Sequence, residues 1–180
     1  MKRVLVVVDM QNDFVTGALG TPEAQAIEPR VCEKIRGFDG EIFYTLDSHT
    51  DNYLSTQEGR LLPVPHCILE TEGWLPTPAV WAALTARGVA DEPHLLAKEA
   101  FGDLDLPVRI RERCGGAPDE IVLVGLCTDI CVICNAMLLK AAFPEARIAV
   151  DASCCAGVSP QAHQTALSAM LPCQIDVEYA

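Results

Sequence analysis

The chain has 180 residues, half of them hydrophobic, and a formal net charge of −12. A chain of that size can bury a sizeable core in one α/β unit, and an acidic balance with no basic stripe excludes nucleic acid as an expected partner. No apolar run reaches the length of a membrane span, and Val4–Val8 halts at Asp9, too early for a signal peptide, so a cytoplasmic protein without membrane contact is expected.

Arg3–Asp9 reads as a first strand whose five consecutive apolar positions suggest burial on both faces, as in a parallel sheet. Asp9 ends it, and Asn12, Asp13, Phe14 and Gly17 form the loop beyond. Ala26, Ile27, Val31 and Ile35 fall at helical spacing and predict a helix over Glu23–Arg36, stopped by Gly37. Glu41–Leu46 is a second strand and ends in another carboxylate, Asp47. Residues 48–78 are rich in polar residues, Gly and Pro, and so long a loop in a compact unit is usually functional.

Pro78–Arg87 follows as a helix, His94–Ala97 as a third strand with Lys98 at its end, and Asp105–Cys114 as a helix closed by Gly115-Gly116. In Glu120–Asn135, the β-favouring run Ile121–Val124 enters Gly125, a polar step follows at Thr128 and Asp129, and helical spacing continues to Ala142. This strand, turn and helix start would put Cys131 in the first helical turn. There the helix dipole and free N–H groups would lower the thiol pKa. Arg147–Asp151 is a fifth strand, Ser159 caps a helix with Pro160 at its first position that runs to about Leu171, and Gln174–Tyr179 is a final strand.

This alternation predicts a three-layer, doubly wound α/β sandwich around a mostly parallel six-stranded sheet. Residues 1–180 would form a single domain without repeat or linker. Ligands of such sheets sit at the carboxyl ends of the strands. Asp9, Asp47, Lys98 and the Cys131 turn all fall at those ends.

A buried aspartate with a raised pKa can act as base to a thiol, a nearby lysine would keep it ionised, and backbone N–H groups around Cys127–Cys131 can form an oxyanion hole. The plainer alternative is an Asp9–Lys98 ion pair beside a cysteine that packs in the core. Asp47 and His49, two apart on an extended segment, share a face and can ligate one ion, with Glu58 and His66 further along the loop. Carboxylate with imidazole suits Zn²⁺, Mn²⁺ or Fe²⁺, and a solvated polar loop is the alternative. Phe14, Trp74 and Phe101 are candidates for an apolar pocket over a planar ligand, Phe14 foremost and Trp74 last. His94 is expected at a strand start and His163 on a helix surface.

The nine cysteines show no paired metal-finger spacing and no thioredoxin-type surround, so most are expected to be reduced, buried small hydrophobes. A thiol-based metal or redox sensor built on Cys127, Cys131 and Cys134 is a competing reading, but it leaves Asp9 and Lys98 without a role.

Five motifs in order then carry a resemblance: D-M-Q-N-D-F at Asp9–Phe14, D-S-H at Asp47–His49, L-P-V-P-H-C at Leu62–Cys67, K-E-A-F-G at Lys98–Gly102 and G-L-C-T-D-I-C-V at Gly125–Val132. Over essentially its whole length the chain resembles the nicotinamidase/pyrazinamidase branch of the isochorismatase-like cysteine hydrolases. The resemblance implies a catalytic triad of Asp9, Lys98 and Cys131. It implies a divalent metal, Zn²⁺ ahead of Mn²⁺ or Fe²⁺, held by Asp47, His49 and His66 with Glu58 in the place of a fourth ligand.

It further implies a cis peptide at Leu126-Cys127, an oxyanion hole from the backbone of Cys127 and Cys131, and a substrate ring held by Phe14 and Phe101. The implied reaction is hydrolysis of nicotinamide to nicotinate and ammonia through a thioester, within pyridine nucleotide metabolism. Another small amide or ureido compound is the alternative substrate. Relatives often self-associate, so a homo-oligomer is compatible with it. Cys127 stands where relatives often carry Ala or Leu, and Ser48 where they often carry an aromatic residue.

Overall fold

The structure, a computed structural model, describes residues 1–179. Six strands form one sheet in the order β3-β2-β1-β4-β5-β6 and every neighbouring pair is parallel. The strands are β1 (Arg3–Val8), β2 (Glu41–Asp47), β3 (Leu95–Lys98), β4 (Glu120–Leu126), β5 (Arg147–Ala156) and β6 (Asp176–Glu178). The expected doubly wound sandwich is present, with the sheet fully parallel.

Successive side chains on a strand point to opposite faces, and β1 shows how both are used. Val4, Val6 and Val8 enter one core, while Leu5 and Val7 enter the other. The Leu5 face is covered by α2 (Pro22–Gly37) and α4 (Pro78–Ala86) through Val31, Ile35, Val80 and Leu84. The Val6 face is covered by α5 (Leu106–Cys114), α6 (Ile133–Ala142) and α7 (Pro160–Met170) through Ile110, Leu139 and Leu167. Burial on both faces is why the central strands read as unbroken apolar runs.

Helix starts follow their local chemistry. Thr21, Thr77 and Ser159 each accept a hydrogen bond from a backbone N–H of the first turn, and each is followed by proline at the start of the helix. Gly115, left-handed at φ 60°, closes α5 as the Gly115-Gly116 pair suggested.

The long loop is less irregular than its composition suggested. It holds two short helical pieces, Tyr53–Ser55 and α3 (Gln57–Leu61), and its Gly73 and Leu75 carbonyls accept from the backbone of α1 (Asn12–Val15). The fifth strand runs five residues past its expected end at Asp151, to Ala156. Its register against β4 shifts between Leu123 and Gly125, and polar Asp151 and Ser153 in that irregular stretch hid the continuation.

The sheet reverses its winding between β1 and β4. In sheets of this order, the crevice outside the carboxyl ends at that point is where ligands bind. Gly125 lies there at φ 112°, and a Cβ would stand 2.1 Å from the Val8 carbonyl oxygen, so only glycine allows the two strands to meet.

Candidate functional site

Four strand ends deliver the site. Asp9, immediately beyond β1, takes a left-handed backbone conformation with φ 48°. Its Oδ1 accepts a hydrogen bond from the Thr45 hydroxyl at 2.6 Å. Its Oδ2 lies 2.7 Å from Lys98 Nζ, and neither side chain is more than 1 % exposed. Lys98 ends the outer strand β3, so its stem crosses β2 to reach Asp9. Two strand spacings make about 10 Å, a gap closed by the lysine stem, the Asp9 side chain and the contact between them together. The same Nζ lies 3.1 Å from Asp47 Oδ1 and 3.4 Å from Cys131 Sγ.

Cys131 sits in a π-helical turn, Thr128–Val132, that precedes α6. The thiol is therefore not in the first turn of an ordinary α-helix, as the spacing suggested. The Cys127 carbonyl accepts from both Ile130 N (3.0 Å) and Val132 N (3.1 Å), the second being the wide bond of a π turn, a form often found at functional sites. The Leu126-Cys127 peptide is cis.

Electrostatics here are those of a dry, crowded cluster. Burial pushes the Asp9 carboxyl up; the Lys98 ammonium opposes this without cancelling it, and Asp47 adds to the rise. Burial likewise raises the Cys131 thiol well above its ordinary value, with the Asp9 carboxylate adding to the effect and Lys98 opposing it. The raised Asp9 carboxyl is the one expected of a buried base. The thiol corrects the sequence-based expectation: it is not lowered by its helix end, because desolvation outweighs the dipole and a single cation. Burial would lower Lys98, but Asp9, Cys131 and Asp47 hold it protonated. Asp9 and Cys131 therefore compete for a proton beside a fixed positive charge.

Next to this cluster, one ligating atom from each of Asp47, His49, Glu58 and His66 lies within 4.8 Å of the others. Asp47 Oδ2 is 2.8 Å from His49 Nε2 and 3.5 Å from His66 Nε2, while Glu58 Oε1 is 3.6 and 3.8 Å from the same nitrogens. His66 Nδ1 lies 2.8 Å from the Val64 carbonyl. A carbonyl can only accept, so Nδ1 carries the proton and Nε2 offers its lone pair to the cluster.

His49 Nε2 is buried and, although close to Asp47, has no aligned hydrogen-bond partner. An orphaned imidazole nitrogen among two carboxylates and a second imidazole is the donor set of a divalent transition-metal ion, so the residues fit the expected metal. Burial works to raise the Asp47 carboxyl, but His49, His66 and Lys98 outweigh it and hold the group well below the usual carboxylate range. Burial and Asp47 together push Glu58 up.

The supporting residues were not legible as such. Gln11, fully buried, donates from Nε2 to the carbonyls of Asp47 and Trp74, and its Oε1 accepts from Asp47 N, each at 2.8 Å. It therefore clamps both backbone polar groups of Asp47, one of the four candidate ligands. Asp13 Oδ2 accepts from Cys67 N at 2.8 Å, holding the residue after His66. The signal for both was polar residues in the D-M-Q-N-D-F run directly after a buried strand, a place where side chains turn back onto neighbouring strand ends.

Asn135, fully buried, donates to the Cys131 carbonyl (2.8 Å) and the Phe101 carbonyl (3.2 Å), and accepts from Asp103 N (3.0 Å). It fixes the Phe101 loop against the cysteine turn.

A cavity of about 790 Å³ opens over these groups and is lined by Phe14, Phe101, Cys127, Cys131, His49 and His66 among others. Phe14 stands 5.4 Å from the His66 ring, centroid to centroid. Trp74 is not brought to the cavity; it packs against the α2 core and donates from Nε1 to Ser48 Oγ at 2.8 Å. Cys134 faces Gly102 rather than the cavity, and no ligating cluster among the described residues contains a cysteine. His94 directly precedes β3, one residue before the observed strand start; it is buried and pairs with Asp91. His163 is half-buried rather than on the surface, with Nδ1 2.8 Å from Thr128 Oγ1.

Comparison with known proteins agrees with this picture. Residues 3–178 match the family model described as the isochorismatase domain. An uncharacterized isochorismatase family protein, PncA of Bacillus subtilis (strain 168), is 32% identical over 182 residues, covering 93% of both chains. The crystal structure of a nicotinamidase/pyrazinamidase PncA from Bacillus subtilis is similar with a TM-score of 0.83 and 30% identity, over 99% of this chain and 100% of that one. A pyrazinamidase of Pyrococcus horikoshii solved in complex with zinc is similar with a TM-score of 0.77 and 26% identity, over 98% of each chain.

Proposed function

The chain is a hydrolase of the isochorismatase family, and from that premise we propose that it converts nicotinamide to nicotinate and ammonia through a thioester on Cys131. The observation that carries this reading is the single Lys98 ammonium. It lies 2.7 Å from Asp9, 3.4 Å from the Cys131 thiol and 3.1 Å from Asp47 of the adjoining two-histidine, two-carboxylate donor set. The similar proteins named as nicotinamidases and pyrazinamidases support it.

The steps follow from the proton competition at the cluster. Asp9, its basicity raised by burial, takes the thiol proton as Cys131 Sγ attacks the carboxamide carbon. Lys98 offsets the charge that moves between them. The backbone N–H groups of Cys127 and Cys131 stabilise the oxyanion. Asp9 returns its proton to the departing nitrogen, and ammonia leaves a thioester. Asp9 then takes a proton from water as the oxygen adds to the thioester carbon, and gives it to the sulfur as nicotinate is released.

Phe14 and Phe101 hold the ring. A divalent ion, zinc foremost, held by Asp47, His49, Glu58 and His66 would supply a Lewis acid for the pyridine nitrogen and so favour this ring over other amides.

The test is ammonia release from nicotinamide by zinc-loaded protein, with Cys131→Ala as control. Turnover abolished by the substitution is expected; folded, metal-loaded protein that releases no ammonia overturns the reading. The cavity volume of about 790 Å³ exceeds a pyridine carboxamide and favours, as a second reading, a bulkier amide handled by the same residues. A panel of amides in which nicotinamide ranks last would select it.

A further inference from the structure

From the contact between Thr128 and His163 we infer that His163 is a positioning residue for the turn that carries Cys131. The inference rests on Cys131 being the nucleophile. Thr128 is the first residue of the π turn, three positions before the thiol, and it is fully buried. A buried hydroxyl requires a partner, and His163 Nδ1 supplies it at 2.8 Å.

His163 belongs to α7, which is an independent reference point. Ser159 caps that helix by accepting from Ala162 N at 3.1 Å, and Ala166, Leu167 and Met170 anchor it in the core. Nothing on α7 other than His163 reaches the hydroxyl by hydrogen bond among the described residues.

A second contact closes the crossing. Asp129 Oδ1 accepts from Val158 N at 3.0 Å, just before α7 begins. Gly157 leaves no room between them: a Cβ there would lie 2.7 Å from Asp129 Oδ1 and 2.8 Å from His163 N. The turn is therefore docked on α7 and on the β5–α7 connection by two hydrogen bonds, from the residues three and two positions before the thiol. Burial pushes His163 down from its ordinary value, with Asp129 opposing, which suits a neutral ring that shares one proton with a hydroxyl.

A π turn is a rare, single-turn departure from the α-helix that is often found at functional sites, so the aim of Cys131 depends on contacts that hold the turn from outside. A displaced nucleophile costs turnover rather than binding, and a misplacement of about 1 Å can cost about a hundredfold in rate.

The test compares His163→Phe, which keeps the bulk, with His163→Asn, whose amide puts a hydrogen-bonding atom near the Nδ1 position. Three readouts are taken on metal-loaded protein: kcat and KM for nicotinamide, the rate at which iodoacetamide labels Cys131, and thermal unfolding. The expected result for His163→Phe is kcat down about tenfold to a hundredfold, KM nearly unchanged, and labelling slowed alongside it. His163→Asn should recover most of both. Thr128→Val should reproduce the loss, and the double variant should be no worse than either single one.

Wild-type kcat and labelling rate in His163→Phe would overturn the inference. So would a loss matched by a smaller fraction of chains that label at all, which is misfolding. Should His163→Phe fail to fold, Thr128→Val and His163→Asn carry the comparison. The labelling arm reads the turn whichever amide is the substrate, so a wild-type protein inactive on nicotinamide would refute the proposed substrate while leaving this comparison decisive.

Discussion

Lys98 and Asp47 occupy paired register positions on β3 and β2, and Lys98 Nζ lies 3.1 Å from Asp47 Oδ1. Through this contact the thiol cluster and the candidate metal-ligand cluster share one cation. Substituting Lys98→Met leaves two buried carboxylates without their common partner. Loss of one member of a buried ion pair costs about 3–5 kcal/mol, so metal-free Lys98→Met should lose stability on that order in urea unfolding. Added zinc should recover part of it, because a cation then returns to Asp47. Turnover should fall by at least about a hundredfold in the metal-loaded protein, the typical scale for a lost proton-transfer partner. Unchanged kcat would remove Lys98 from the mechanism.

Gln11 tests whether the ligand cluster is held from behind. Gln11→Leu removes the clamp on both backbone polar groups of Asp47. Outer partners of metal ligands are typically worth about tenfold to a hundredfold in metal affinity. Zinc titration should show a weakening on that scale, and the zinc-induced rise in melting temperature should shrink. A wild-type zinc isotherm for Gln11→Leu would show that Asp47 holds its place unaided.

Glu120 sets an acid limit on stability away from the site. Its carboxyl is lowered from 4.5: burial works to raise it, but hydrogen bonds and charge from Arg3 and Arg147 prevail. The folded form thus holds its proton less tightly than the unfolded chain. The group's contribution is complete above about pH 4.5 and is lost as pH falls through the lower, folded value. Glu120→Gln should therefore destabilise at pH 6 and differ progressively less from wild type as the buffer is taken below 4.5. A stability gap that stays constant down to pH 3 would contradict this.

Cys134 separates an enzyme from a thiol sensor. It lies outside the cavity and outside every ligating cluster among the described residues. Cys134→Ala should keep kcat/KM within about twofold and bind zinc as wild type does, since changes away from a site are usually small. Loss of zinc binding in this variant would favour the sensor reading.

Much of the architecture was legible because strands buried on both faces write themselves as apolar runs, β1 and β4 above all. The ends of those runs located Asp9, Asp47 and Lys98 on one edge, and motif order tied the loop ligands to them. What was hidden depended on three-dimensional context. The π turn differs from an α-helix start by one residue per turn, which apolar spacing around Ile130 and Ile133 does not reveal. The far half of β5 follows a register shift, where alternation fails. Gln11, Asn135 and His163 act through hydrogen bonds to segments 34 to 36 residues away, and a lone polar residue carries no mark of such a partner. The thiol's raised pKa was hidden for a related reason, since depth of burial is a property of the packed molecule.

Lys98 arrives on the outermost strand of the sheet, a strand of four residues hydrogen-bonded on one side only. Edges of this kind open at lower free energy than the centre of a sheet. Brief fraying of β3 would withdraw the ammonium from the thiol while the other five strands stayed paired. Mild denaturant should then silence the protein before circular dichroism registers any change, making turnover an early gauge of edge integrity.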